Sequence, residues 1–197
     1  MNTVALEKAK SRLRSAQRAF KLMGDPTESN LEDHWIDFLV AWKGTYTKVQ
    51  QAAKDTPQEL QWFGGRNTQR KSDQVLQYLF QARNDEEHGL VKSASLEPGR
   101  AVFRMTKDGP DPQLVFENNR PAKIVDATGE VIAELLAQQA IVAELHAVKD
   151  RSGNVIPPPA ALDGSPLNPV TVADLGLRYL EALIAKAEAM SKPEEWA

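Results

Sequence analysis

The 197-residue chain has no cysteine and only three histidines. Without thiols, a disulfide framework, thiolate zinc sites, iron–sulfur clusters and cysteine-nucleophile catalysis are all excluded. Three histidines are also too few for most His-rich metal sites. No stretch approaches the roughly 18 consecutive apolar residues of a membrane span, and Met1 to Lys10 contain no apolar run of signal-peptide length. The expectation is a soluble, cytoplasmic protein with no membrane partner. Its chemistry must then use carboxylates, hydroxyls, Lys, Arg, or one of His34, His88 and His146. The length suits one domain whose core needs no staples.

A strong charge of either sign is missing too, since the formal net charge is -3. The balance is uneven along the chain: residues 1–100 hold 15 Lys/Arg against 13 Asp/Glu, and 101–197 hold 9 against 14. In the first segment Lys8, Lys10, Arg12, Arg14, Arg18 and Lys21 face only Glu7. Such a segment attracts phosphate or forms a solvated helix face, and the solvated face is the commoner case.

Apolar residues at Leu6, Ala9, Leu13, Ala16 and Phe20 predict a first helix, ended by Gly24, Asp25 and Pro26. A second begins near Ser29 or Asn30 and carries Trp35, Phe38, Leu39, Trp42, Tyr46, Val49 and Ala53. Trp35 and Trp42 are expected in the core. Pro57 is expected to close this region, with Trp62-Phe63-Gly64-Gly65 as a loop, and a third helix to run from about Thr68 to at least Arg83. After Pro98-Gly99 the pattern changes. Short strands are predicted at 101–105, 114–116 and 124–125, with turns at Asp108-Gly109-Pro110 and Asn118-Asn119. Residues 131–148 are ambiguous, helix-like at first and strand-like from Ile141 to Val148, and Val155-Ile156 returns after the Ser152-Gly153-Asn154 turn. A surface connection over 160–170 leads to a last helix from about Thr171 to Ser191. The fold class expected is mainly α, an up-down four-helix bundle with a small β-containing insertion before the last helix. It forms one domain over 1–197, with three helices in 1–97, the β-rich insertion in 98–160 and the closing helix in 171–191.

One compact polar constellation stands out, Arg83-Asn84-Asp85-Glu86-Glu87-His88-Gly89. Three carboxylates in a last helical turn oppose the dipole there. A break near Asn84, with Asn84 as N-cap and Glu87 in a capping box, removes the conflict. On one straight helix, residues 83 and 88 point about 140° apart, so a break or a second copy of the bundle is needed to make them converge. If they do, His88 can move a proton near neutrality and Arg83 can hold a phosphate and stabilise charge developing on it. That pair suits metal-independent RNA cleavage, in which the 2′-hydroxyl attacks the adjacent phosphate.

An Arg followed by Asn, three further residues and a His, on the third helix of a bundle, resembles the HEPN superfamily of nucleases and nucleotide-binding domains. Members place four to six residues between the Arg and the His, commonly with Asn, Asp or His after the Arg. The resemblance implies that Arg83 and His88 are catalytic, that Asn84 orients them, and that two copies pair over one RNA-binding cleft, as in toxin, antiviral and other defence proteins. Some members also carry a modifiable Tyr two residues after the His. Leu90 stands there in this chain, so that regulation is not expected.

Arg66, Arg70 and Lys71 lie near the expected start of the third helix, as a border to an RNA path or as ordinary solvated residues. Asp85, Glu86 and Glu87 are more readily solvated than metal-binding. His34 suits a surface or packing role, and His146 has no partner in its local sequence. No glycine-rich phosphate loop, nucleophile elbow or His-Glu-x-x-His occurs. The expectation is therefore an HEPN-type endoribonuclease acting as a homodimer on RNA, without cofactor or metal. Two alternatives stay open. One is a non-catalytic HEPN-like module binding a nucleotide, RNA or a protein partner. The other is a structural protein in which Arg83 pairs with the adjacent acidic run.

Overall fold

The computed structural model describes residues 1–24, 30–88, 92–97, 101–117, 120–138 and 142–191. Five helices are present among them: α1 (Thr3–Met23), α2 (Leu31–Ala52), α3 (Pro57–Ser72), α4 (Gln74–His88) and α5 (Pro169–Ser191). The strands are β1 (Ala94–Glu97), β2 (Ala101–Met105), β3 (Gln113–Glu117), β4 (Arg120–Val125), β5 (Val131–Gln138), β6 (Val142–Leu145), β7 (Val148–Lys149) and β8 (Val155–Ile156). They form three separate sheets, β1-β6, β2-β5-β4-β3 and β7-β8. This is a mixed α/β fold, which corrects the expected up-down four-helix bundle. The chain divides into two compact units, Met1–Ser95 with Ala143–Ala197, and Leu96–Val142.

The fifth helix arises where a loop was expected. Pro57 does not end the region before it. It occupies the first turn of α3, where its missing N–H costs nothing, and Thr56 and Glu59 form a reciprocal capping box. That start carries the helix through Gly64 and Gly65, which weaken it by roughly 1 kcal/mol each. The buried Phe63, packed 5.1 Å from the Tyr46 ring, offsets part of that cost. Asp73 then breaks the helix with an extended backbone, and its carboxylate accepts the Leu76 N–H at 3.0 Å to start α4.

In the helical unit, Trp35, Phe38, Leu39 and Trp42 of α2 are fully buried, as their spacing predicts. Each such side chain contributes about 1.5–3 kcal/mol by leaving water. α2 and α5 approach closely because residue 176 is glycine: the Trp42 indole donates to the Gly176 carbonyl at 2.9 Å. A Cβ there would stand 3.0 Å from Trp42 Nε1 and would collide with Leu79 Cδ1. Ala94, Leu145 and Val148 join the helical core. Tyr78 of α4 donates to the carbonyls of Ser93 and His146 at 3.0 and 2.7 Å. The β-hairpin β7-β8, expected within an insertion, therefore packs with the helices.

The second unit is the four-stranded antiparallel sheet. β5 lies inside it, paired with both β2 and β4. Its Ala, Glu and Leu favour helix locally, but pairing on both sides overrides that preference. The hairpin turns after β4 and β7 share one local sequence, Asp-x-Thr/Ser-Gly-x-Val-Ile, at 126–132 and 150–156. In each the Asp carboxylate accepts backbone amides two and four residues on, at 2.8–3.0 Å. Gly129 and Gly153 take φ values of +84° and +82°, which a side chain would strain.

Candidate functional site

α4 runs without interruption from Gln74 to His88, so neither the break at Asn84 nor the capping box of the sequence reading is present. Each carboxylate of the last turn instead has a tertiary or local partner. Asp85 accepts the Lys149 N–H at 3.2 Å, and Glu86 accepts both the N–H and the hydroxyl of Ser93 at 2.6 Å. Glu87 holds the Arg83 guanidinium across one turn, with Nη2 to Oε1 at 3.0 Å. These bonds offset the unfavourable dipole interaction. The continuous helix keeps residues 83 and 88 about 140° apart around its axis, so a single copy of α4 does not bring them together. The His88 side chain lies outside the described residues.

Asn84 is buried. Its carbonyl oxygen accepts the Lys43 ammonium and its amide donates to Gln81 at 3.0 Å. Asn84 thus ties α4 to a group of cations on α2 and α3. The Lys43 ammonium lies 4.8 Å, and the Arg70 guanidinium carbon 3.8 Å, from the centre of the Phe80 ring. Arg70 also stands 5.9 Å from the Tyr46 ring and takes Asn67 as its hydrogen-bond acceptor at 3.2–3.4 Å. Arg66, one turn earlier on α3, donates to Gln69 at 2.9 Å. Among the described residues none of these three cations has a carboxylate partner. For Arg70, only 7% exposed, that is unusual.

Burial, reinforced by the charges of Arg83, Arg151 and Arg70, holds the Lys43 ammonium below its ordinary pKa. Burial raises the Tyr46 phenol, against the charge and hydrogen bond of Arg70 and the charge of Arg66. Burial, and then the neighbouring Tyr46, pushes the Tyr179 phenol up to about 12. Both phenols remain hydrogen-bond donors at neutral pH. Tyr179 Oη and Arg66 Nε are nevertheless buried without a hydrogen-bond partner, and Tyr46 Oη has the Arg70 guanidinium beside it but no acceptor for its own proton. Asp73, whose charge reaches Tyr179, is exposed and caps α4.

Of the sequence candidates, Arg66 and Arg70 enter this cluster, Arg83 borders it, Asn84 anchors it, and Lys71 is exposed. Lys43, Tyr46 and Tyr179 were not named as site residues. The signal for Lys43 was available: it falls within the apolar phase of α2, between Leu39 and Tyr46, where a charge needs a reason. Away from the cluster, the Ser95 hydroxyl lies 2.7 Å from His146 Nε2, a partner distant in sequence. No three His, Asp or Glu side chains gather as a metal-holding group among the described residues. Nor is any helix there long and apolar enough to cross a membrane.

Fold and site together define a mixed α/β protein whose helical unit carries a cluster of cations with no carboxylate partner among the described residues. No family model, no curated protein and no solved structure matches the chain.

Proposed function

We propose that the helical unit is a module that binds RNA or a nucleotide through its phosphates. The observation that carries this reading is the convergence of Lys43, Arg66 and Arg70 beside Tyr46 and Phe80 with no carboxylate partner among the described residues. A buried cation is stable when it is paired, and a phosphate supplies the missing charge. The chain's net charge of -3 makes such a local excess a specific feature and not a consequence of general basicity.

The test is binding of a short single-stranded RNA in EDTA, followed by fluorescence anisotropy across a range of salt. Strand phosphates neutralised at the partly exposed Lys43 and Arg66 give a slope of log affinity against log salt of about -1.4. Arg66→Gln, at the half-buried edge of the cluster, lowers that slope by roughly 0.7. Binding that ignores salt, or that survives Lys43→Met and Arg66→Gln together, overturns the reading.

Cleavage is a second reading, which rests on the Arg83-Asn84-His88 spacing; Arg83 stands at the edge of the cluster and is paired with Glu87, so it must exchange that partner for a phosphate. With α4 unbroken and Asn84 buried against Lys43, Arg83 and His88 would reach one phosphate only where two copies of the chain meet. RNA cleavage in EDTA, lost in both Arg83→Ala and His88→Ala, supports it. Intact RNA under binding conditions leaves a binding module.

A further inference from the structure

The cluster has an outer part and an inner part. Lys43 and Arg83 are partly exposed, whereas Tyr46 is 3% and Arg70 7% exposed. The Nε–H of Arg66 and the hydroxyl of Tyr179 have no partner, and the deeper Tyr46 hydroxyl faces only the Arg70 guanidinium, a donor, so that its own proton has no acceptor. Protein interiors rarely leave such groups unbonded, because each costs the full desolvation of a donor. Here they occur together, on α2, α3 and α5, in the field of two guanidinium groups.

We infer that Tyr46, Arg66, Arg70 and Tyr179 form a site for a terminal phosphomonoester, the end group of an RNA or of a mononucleotide, an assignment that rests on the phosphate-binding reading above. Two features separate this ligand from an internal phosphodiester. The first is charge. A phosphomonoester carries about -1.5 to -2 near neutrality, against -1 for a diester, and so balances two guanidinium groups. The second is shape. A terminal phosphate presents three free oxygens to the donors around it, and only one bond leads away. An internal phosphodiester presents two free oxygens and must enter and leave with chain on both sides. Tyr46 and Arg70 lie too deep for a strand to run past them, while the half-buried Arg66 and Tyr179 mark the side from which an end group arrives.

The experiment compares one short RNA sequence with a 5′-phosphate, with a 3′-phosphate, and with hydroxyls at both ends, together with adenosine monophosphate and adenosine, in EDTA at fixed ionic strength. A terminal phosphate is expected to tighten binding about tenfold or more, because several charge-assisted hydrogen bonds are gained. Adenosine monophosphate binding as tightly as phosphorylated RNA identifies a mononucleotide ligand, and tighter RNA binding identifies an RNA end. Tyr46→Phe should weaken binding of the phosphorylated ligands by more than it weakens binding of the hydroxyl-ended RNA, shrinking the gain from the terminal phosphate. Without ligand it should cost no more than about 1 kcal/mol, since the hydroxyl proton has no acceptor and only the contact with Arg70 is lost. Equal binding of phosphorylated and hydroxyl-ended RNA, with the salt slope intact, overturns this assignment and leaves the phosphate-binding reading. Absence of binding by every ligand overturns both. Marked destabilisation by Tyr46→Phe shows that the hydroxyl is engaged within the protein, and also overturns the assignment.

Discussion

Arg70→Met removes one charge from the cluster while keeping an unbranched side chain over Phe80, and its cost can be worked out from the geometry. Lys43 and Arg70 lie 4.8 and 3.8 Å from the same ring centre. Their charges are therefore within about 8.6 Å of each other, and at an effective dielectric constant near 20 they repel by roughly 2 kcal/mol. Partial exposure of Lys43 screens this to about 1–2 kcal/mol. The substitution forfeits a cation–π contact of similar size and modest bonds to Asn67. The expected net change without ligand is within about 1 kcal/mol of zero, far from the 3–5 kcal/mol of breaking a compensated buried pair. The assay is urea unfolding, with and without about 50 mM inorganic phosphate, chloride being used to match ionic strength. If phosphate binds with a Kd of about 1 mM, it stabilises the natural protein by roughly 2 kcal/mol. Arg70→Met retains only the smaller non-specific effect of phosphate on burial. Equal stabilisation of both proteins, or a loss above about 3 kcal/mol without ligand, refutes the claim that Arg70 is an uncompensated charge awaiting an anion.

Gly176→Ala forces a methyl group against Trp42 and Leu79, and should lower stability by about 1–3 kcal/mol, read from the urea midpoint at unchanged slope. Tyr78→Phe deprives two carbonyls of their shared donor; a loss of about 1–3 kcal/mol is expected, and a neutral result means these groups find other partners. Burial of Glu59 pushes its carboxyl up, but the N-terminal amine and the amides of Thr56 and Asp55 prevail and hold it below its ordinary value of 4.5. Its contribution is therefore complete above pH 4.5 and declines as pH falls through the lowered value. The natural protein should be more stable than Glu59→Gln at pH 7, and the two should converge in acid. A difference that does not change with pH contradicts this.

Much of the fold was legible where apolar spacing is regular. α1, α2, α5 and the strands at 101–105, 113–117 and 120–125 follow the predicted pattern. The failures have particular causes. Pro57 is equally compatible with the end of one helix and the first turn of the next, and only the Thr56–Glu59 pair decides. β5 has helix-forming composition and becomes a strand through partners on both sides. The acidic run at 85–87 resembles a broken helix because its partners, Lys149 and Ser93, are absent from the local sequence. The candidate site was half legible: Arg66 and Arg70 follow from one segment, whereas Tyr46 and Tyr179 enter through α2 and α5, which no local pattern connects.

The central claim is that Arg66 and Arg70 hold a phosphate, and it is tested most directly by nuclear magnetic resonance of the arginine Nε–Hε groups during titration with adenosine monophosphate. Arg66 Nε–H is buried without a partner, whereas Arg70 Nε–H is already engaged with Asn67. The account expects a large downfield shift of Arg66 and a smaller one of Arg70, both saturating with a single Kd, and the Arg66 shift lost in Lys43→Met/Arg70→Met. An Arg66 signal unmoved at saturating nucleotide contradicts it.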